Sequence, residues 1–157
     1  MTLKIDTITI AEAGAEDARG ALTLVGFNQK YLVQPKLPAP RRLVLAVALI
    51  DQDPEPEAVP DQTMYYMNIE VRDTEGLPVV SSLQNVPLGR RRWKEWPTTI
   101  QVLVAAQLVP SKYGKYDIKV DLLDEGRQLI DQASTAVYVV EPDAIALEAL
   151  GGGSGEL

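Results

Sequence analysis

Apolar and polar residues alternate along most of the chain, the pattern of strands with one face in a core and the other in water. "KIDTITI" places Ile5, Ile8 and Ile10 as its apolar positions, with a change of phase between the first two. "GALTLVGF" sets Leu22 and Leu24 on one face. "RRLVLAVALI" is apolar on both faces, with Leu43, Leu45, Val47 and Leu49 on one and Val44, Ala46, Ala48 and Ile50 on the other. Such a strand is central in its sheet, or is covered on its second face. "MYYMNIEVRD" separates Tyr65, Met67, Ile69 and Val71 from Tyr66, Asn68, Glu70 and Arg72. "TTIQVLVAAQL" aligns Ile100, Val102 and Val104. "YDIKVDLL" aligns Tyr116, Ile118, Val120 and Leu122 against Asp117, Lys119 and Asp121, and "STAVYVV" closes the series.

Turn chemistry separates these runs. "RDTEGLP" and "LDEGRQ" each place an Asp and then a Gly just past an alternating run. Asp starts such turns, and Gly supplies the positive φ that closes a hairpin. "VQPKLPAPR" and "DPEPEAVP" are proline-rich. Proline has no N–H for a ladder, so these are edges or loops. Parallel strands need crossovers, and no helical period lies between the runs. The pattern predicts an antiparallel β-sandwich of about seven to nine strands over residues 1–140. Residues 141–157 read separately. "EPDAIALEAL" predicts a short helix, with Pro142 in the first turn, Asp143 at the positive end of the dipole, and Ile145, Leu147 and Leu150 as an apolar stripe. "GGGSGEL" reads as a flexible tail.

Three longer stretches carry a resemblance. "GALTLVGFNQKYLVQPKLPAPRRLVLAVALI" reads as strand, proline-containing loop and long apolar strand. "MNIEVRDTEGLPV" has a strand–D-x-x-G-x-P–strand form. "YGKYDIKVDLLDEGRQLIDQASTAVYVV" closes with a Tyr-led strand, a hairpin and a last strand. Over about residues 3 to 140 the chain resembles a family of small uncharacterised bacterial proteins with an immunoglobulin-like β-sandwich, a domain of unknown function. The resemblance implies that fold; it implies no activity and no functional residues. The acidic insert and the basic aromatic loop described below depart from its plainest form.

Composition narrows the chemistry. The chain has 157 residues, 46% of them hydrophobic, enough for one domain with a real core. With 15 basic and 22 acidic residues the net charge is −7, which opposes bulk attraction to nucleic acid or to an anionic membrane. No apolar run reaches the roughly 18 residues of a membrane span. The alternating N-terminus reads as a strand and not as a signal peptide, so a cytoplasmic location is expected. There is no Cys and no His. That removes thiolate nucleophiles, Cys-ligated metals, the Ser–His–Asp triad and the usual general base. We expect no enzyme, no cofactor and no metal centre.

One stretch runs against the acidic balance. "GRRRWKEWP" concentrates Arg90, Arg91, Arg92, Trp93, Lys94 and Trp96 in seven residues. Arg and Trp are enriched at protein-interface hot spots. They also suit phosphate contact and base stacking, but the negative field of the chain disfavours nucleic acid. The competing structural reading is a Trp plugging the sandwich end while the Arg stems cover apolar surface. Pro97 holds Trp96 extended, at the start of the next strand. The acidic "DQDPEPEAVPD" carries Asp51, Asp53, Glu55, Glu57 and Asp61. It lacks the Gly and ligand spacing of an EF-hand loop and reads as a solvated loop. It is also a natural mate for the basic loop of a neighbouring copy. The expectation is a non-enzymatic interaction or assembly module. It would act through sheet edges and the basic aromatic loop on a protein partner or on its own copies. A carbohydrate- or calcium-binding module is the alternative.

Overall fold

The computed structural model describes residues 3–18, 21–26, 30–51, 63–88 and 98–142. They form ten strands in chain order: β1 (Leu3–Ala11), β2 (Ala13–Glu16), β3 (Leu22–Val25), β4 (Tyr31–Val33), β5 (Arg41–Asp51), β6 (Thr63–Arg72), β7 (Pro78–Leu88), β8 (Thr98–Leu108), β9 (Gly114–Leu123) and β10 (Leu129–Val140). One sheet has the order β1-β5-β8 and a second the order β4-β10-β9-β6-β7. Their inner faces close on one core. Leu43, Leu45, Val47 and Leu49 from β5 join Met67, Ile69 and Val71 from β6, Ile118, Val120 and Leu122 from β9, and Val137 and Val139 from β10. Each such side chain stabilises by about 1.5–3 kcal/mol on burial.

The seven long strands build this two-sheet sandwich; the three short ones take the count above the expected range. Two of these, β2 and β3, form a hairpin of their own. It explains why β5 is apolar on both faces. β5 is central, and a Cβ at Gly14 in β2 would stand 3.0 Å from Leu24 Cδ2, 3.3 Å from Val44 Cγ1 and 3.4 Å from Leu103 Cδ2. The hairpin backbone therefore rests directly on the outer face of β5 and β8. The change of phase in "KIDTITI" is a register shift in the β1–β5 ladder between Ile5 and Thr7. A bulge there returns Ile8 and Ile10 to the core side.

The antiparallel expectation needs one correction. β4 pairs in parallel with β10, Tyr31 to Tyr138 through Val33 to Val140. The crossover rule does not forbid it, because the two strands are far apart in the chain and most of the fold intervenes.

Both predicted hairpins form. At Asp73–Leu77 the Asp73 N–H donates to the Leu77 carbonyl at 2.8 Å, and Asp73 Oδ1 accepts the N–H groups of Glu75 and Leu77 at 2.9 Å each. Gly76 takes the positive φ of 81°. At Asp124–Gln128 the same side-chain acceptor recurs, Asp124 Oδ1 taking the Gln128 N–H at 2.9 Å. Here the positive φ falls on Arg127, at 60°, and not on the neighbouring Gly126. The Arg127 guanidinium lies 4.8 Å from the centre of the Tyr66 ring, a cation–π contact that offsets part of the backbone cost.

Tyr116 fixes the connection between β8 and β9. Its ring is buried, and its hydroxyl donates to the Lys112 carbonyl at 2.8 Å and accepts the Lys112 N–H at 3.4 Å. This is the tyrosine-corner arrangement of β-sandwich domains. Just before it, Gly114 has φ 137°, and a Cβ there would meet Thr74 Cγ2 at 2.7 Å. Only glycine suits that position. β10 ends at Val140, and the predicted helix and tail lie outside the described residues beyond Pro142. Among the described residues there is no helix, and none long and apolar enough to cross a membrane.

Candidate interaction site

Arg90, Arg91, Arg92, Trp93, Lys94 and Trp96 lie outside the described residues, as do Asp53, Glu55, Glu57 and Asp61 of the acidic run. The strands that carry these two loops are described. Leu88, where the basic loop leaves β7, is the register partner of Thr63, where the acidic loop joins β6. Thr98, where the basic loop joins β8, is the register partner of Asp51, where the acidic loop leaves β5. Both loops of opposite charge are therefore rooted at one end of the sandwich, on adjacent strand ends.

The same end carries the β9–β10 turn with Asp124, Glu125 and Arg127. Burial first, then the carboxylates of Glu125, Asp124 and Asp51, push the Tyr65 phenol above its ordinary range. These acidic groups thus act together on one side chain. Asp51 is itself buried. Tyr65 packs against the core cluster, whereas Tyr66 points outward beneath Arg127. The expected division of these two tyrosines between opposite faces is what the structure has. Among the described residues no group of three or more acidic side chains is placed to hold a metal ion.

A second surface is the outer face of the five-stranded sheet. Across the β6–β9 ladder Arg72 stands opposite Asp117, Glu70 opposite Lys119, and Asn68 opposite Asp121. Along β9, Lys115 pairs with Asp117 at 3.3 Å and Lys119 with Asp121 at 3.7 Å, and Arg72 pairs with Glu70 on β6. Gln132 Nε2 donates to Asp121 Oδ1 at 2.6 Å. Opposite charges directly across a ladder favour this register. Each exposed pair contributes only about 0–1 kcal/mol. Their larger effect is cancellation: Arg72, Lys115 and Lys119 balance Glu70, Asp117 and Asp121, so this face projects little field.

At the far end of that face Tyr31 and Tyr138 stack, with ring centres 5.6 Å apart and planes at 29°. Tyr31 is 67% exposed and Tyr138 36%. A shallow hollow of about 280 Å³ opens beside them, lined in part by Lys30, Lys115, Asp117 and Ser134. Sequence reasoning missed this pair, because "YLV" is too short to read as a strand. The available signal was its match to "YVV" at Tyr138–Val140, its partner in register.

Lys112 and Tyr113 do structural work at the opposite end. The Tyr113 hydroxyl donates to the Gln34 carbonyl at 2.8 Å, and Lys112 forms an ion pair with Glu75 of the β6–β7 turn.

No protein-family model matches the sequence, and no curated protein matches it. Solved structures do match the fold. A glycosyl hydrolase family 2 member from Bacteroides cellulosilyticus aligns over 87% of this chain at 11% identity with a TM-score of 0.53. A Bacteroides fragilis protein described as a candidate β-galactosidase aligns over 86% at 12% identity with a TM-score of 0.51. This chain spans only 15% and 17% of their respective lengths. At such identity the likeness is one of fold, and it places the chain among two-sheet β-sandwich domains.

Proposed function

We propose that this chain is a non-enzymatic interaction or assembly module of immunoglobulin-like type, engaging a protein partner or its own copies. Contact is made through sheet edges and through Arg90, Arg91, Arg92, Trp93, Lys94 and Trp96. The observation that carries this reading is the rooting of the basic and the acidic loop on adjacent strand ends, Leu88 beside Thr63 and Thr98 beside Asp51. Loops of both charge signs are rooted at that end, and complementary charge steers association and fixes register. The immunoglobulin-like type is supported by seven long strands in two facing sheets and by the Tyr116 corner. It agrees with the resemblance to the bacterial sandwich family. The modular reading is supported by the large enzymes of similar fold, in which a sandwich of this kind is a small part of the chain. A sequence with neither Cys nor His favours a binding role over catalysis.

Light scattering on a sizing column, at low and high salt, tests it with wild type and an Arg90/Arg91/Arg92→Ser variant. The expected result is a wild-type mass above the 17.2 kDa of one chain at low salt, and a smaller mass in the variant. If both proteins are monomers at every salt concentration, and both retain the same proteins in a pull-down, the loop has no such role. The alternative is a carbohydrate- or calcium-binding module, and for carbohydrate the exposed Tyr31–Tyr138 stack supports it.

A further inference from the structure

We propose that β8 is a self-association edge, to which a second copy of this chain adds its own β8, antiparallel, about a two-fold axis. This rests on the assembly reading above and names the edge and the occupant that it leaves open.

Sheet edges invite pairing, and proteins blunt them with charges, prolines, bulges or cover. Three of the four edges here are blunted. β1 carries Lys4 and Asp6 and a bulge between Ile5 and Thr7, and the Asp131 carboxylate takes the Ile5 N–H at 2.8 Å. β7 holds Pro78 and Pro87. The β4 edge is only three residues long, and β10, open beyond it, is bulged between Leu129 and Asp131.

β8 has none of these devices. Its eleven residues, "TTIQVLVAAQL", include no charge, proline or glycine. It pairs with β5 residue for residue, from Asp51–Thr98 to Arg41–Leu108, with no register shift. Among the described residues no strand pairs with its other side. Alternate residues therefore turn their N–H and C=O groups away from β5, along a ladder of about 36 Å at roughly 3.3 Å per residue. Ile100 and Val102 point at the core yet are only partly buried, as core residues beside an open flank are. A shallow hollow of about 390 Å³ on this sheet is lined by Arg42 of β5 and by Ala105, Ala106 and Gln107 of β8.

β8 complements itself, and this selects a second copy. Two chains of net charge −7 repel each other overall, and that repulsion is least along an uncharged strand. With the axis through Leu103, Ile100 of each copy faces Ala106 of the other, Val102 faces Val104, and Thr99 faces Gln107. Apolar residues meet apolar ones on the core side, and uncharged polar ones meet at the ends. The pairing joins two three-stranded sheets into one of six strands.

Sedimentation equilibrium over a concentration series in high salt, which screens any contact of the charged loops, tests the proposal. Wild type should approach twice 17.2 kDa and keep that mass in the Arg90/Arg91/Arg92→Ser variant. At low salt, where introduced charges act unscreened, a Thr99→Lys/Gln107→Lys variant places like charges opposite each other at both ends of the pairing, on side chains already exposed. It should weaken the dimer at least tenfold with an unchanged circular dichroism spectrum. Thr99→Glu/Gln107→Lys sets opposite charges in the same places and should restore it, which also separates lost pairing from lost folding. A wild type monomeric throughout, or a lysine variant that dimerises as well as wild type, overturns the proposal. An assembly dissolved by the loop variant but not by the lysine variant overturns it too, and leaves the assembly reading standing.

Discussion

Tyr65 shows how a single residue registers the chemistry of one end of the molecule. Its ring packs on the core, while its hydroxyl shares an end with Asp51, Asp124 and Glu125. Burial and these carboxylates both disfavour the phenolate, so the folded chain holds this proton to higher pH than the unfolded chain does. The contribution to stability is complete below the ordinary tyrosine pKa of about 10 and is lost as pH climbs through the raised value. Lys112 works in the same direction, because its hydrogen bond to Glu75 raises its own pKa. Replacing Tyr65 isolates the phenol. Melting temperatures between about pH 9 and 11 should fall more steeply for wild type than for Tyr65→Phe. Parallel slopes would mean that the acidic end does not act on Tyr65. Alternation in "MYYMNIEVRD" already assigns Tyr65 inward and Tyr66 outward. Which acids surround Tyr65 was beyond sequence reading, since Asp51 ends a strand of the other sheet and Asp124 and Glu125 lie in the β9–β10 turn.

Among the elements, β1 and β10 show how two edges of different sheets are tied together. The Asp131 carboxylate sits at the β10 bulge. It accepts the Ile5 N–H of β1 at 2.8 Å through one oxygen and the Gln132 N–H at 2.9 Å through the other. Asp131→Ala leaves both donors without this partner and should cost about 1–3 kcal/mol in denaturant unfolding. Asp131→Asn keeps one acceptor oxygen and should fall between. An alanine variant as stable as wild type would show that water replaces the carboxylate fully. Strands with one clean apolar face, β6 and β9, were legible residue by residue. β7 was legible only through the turn before it, because its inward face includes Ser82 and Gln84, which bond to each other at 2.6 Å. The parallel pair was not legible, since β4 has three residues and takes its partner from the other end of the chain.

Across the whole molecule, sequence pattern specified the core and the hairpins, whereas the rooting of the two charged loops at one end emerged only from register. Thr63 beside Leu88 and Asp51 beside Thr98 are pairings between strands, and no local spacing encodes them. Register also fixes where the described fold begins and ends. β1 starts at Leu3 beside Asp51, at the end that carries the loops, and β10 finishes at Val140, beside Gln34 and at the opposite end. Tension applied between these two points runs along the strands, across hydrogen bonds that lie perpendicular to it. The bonds of the β1–β5 and β10–β9 ladders then bear the load together, in shear. Tension between Leu3 and Asp51, which are register partners, would instead open the β1–β5 ladder one pair at a time. Single-molecule pulling through residues 3 and 140 should need a clearly higher force than pulling through 3 and 51, and equal forces would contradict this geometry. A domain strung between neighbours by its two ends would thus be built to bear tension, with its charged loops all at one pole.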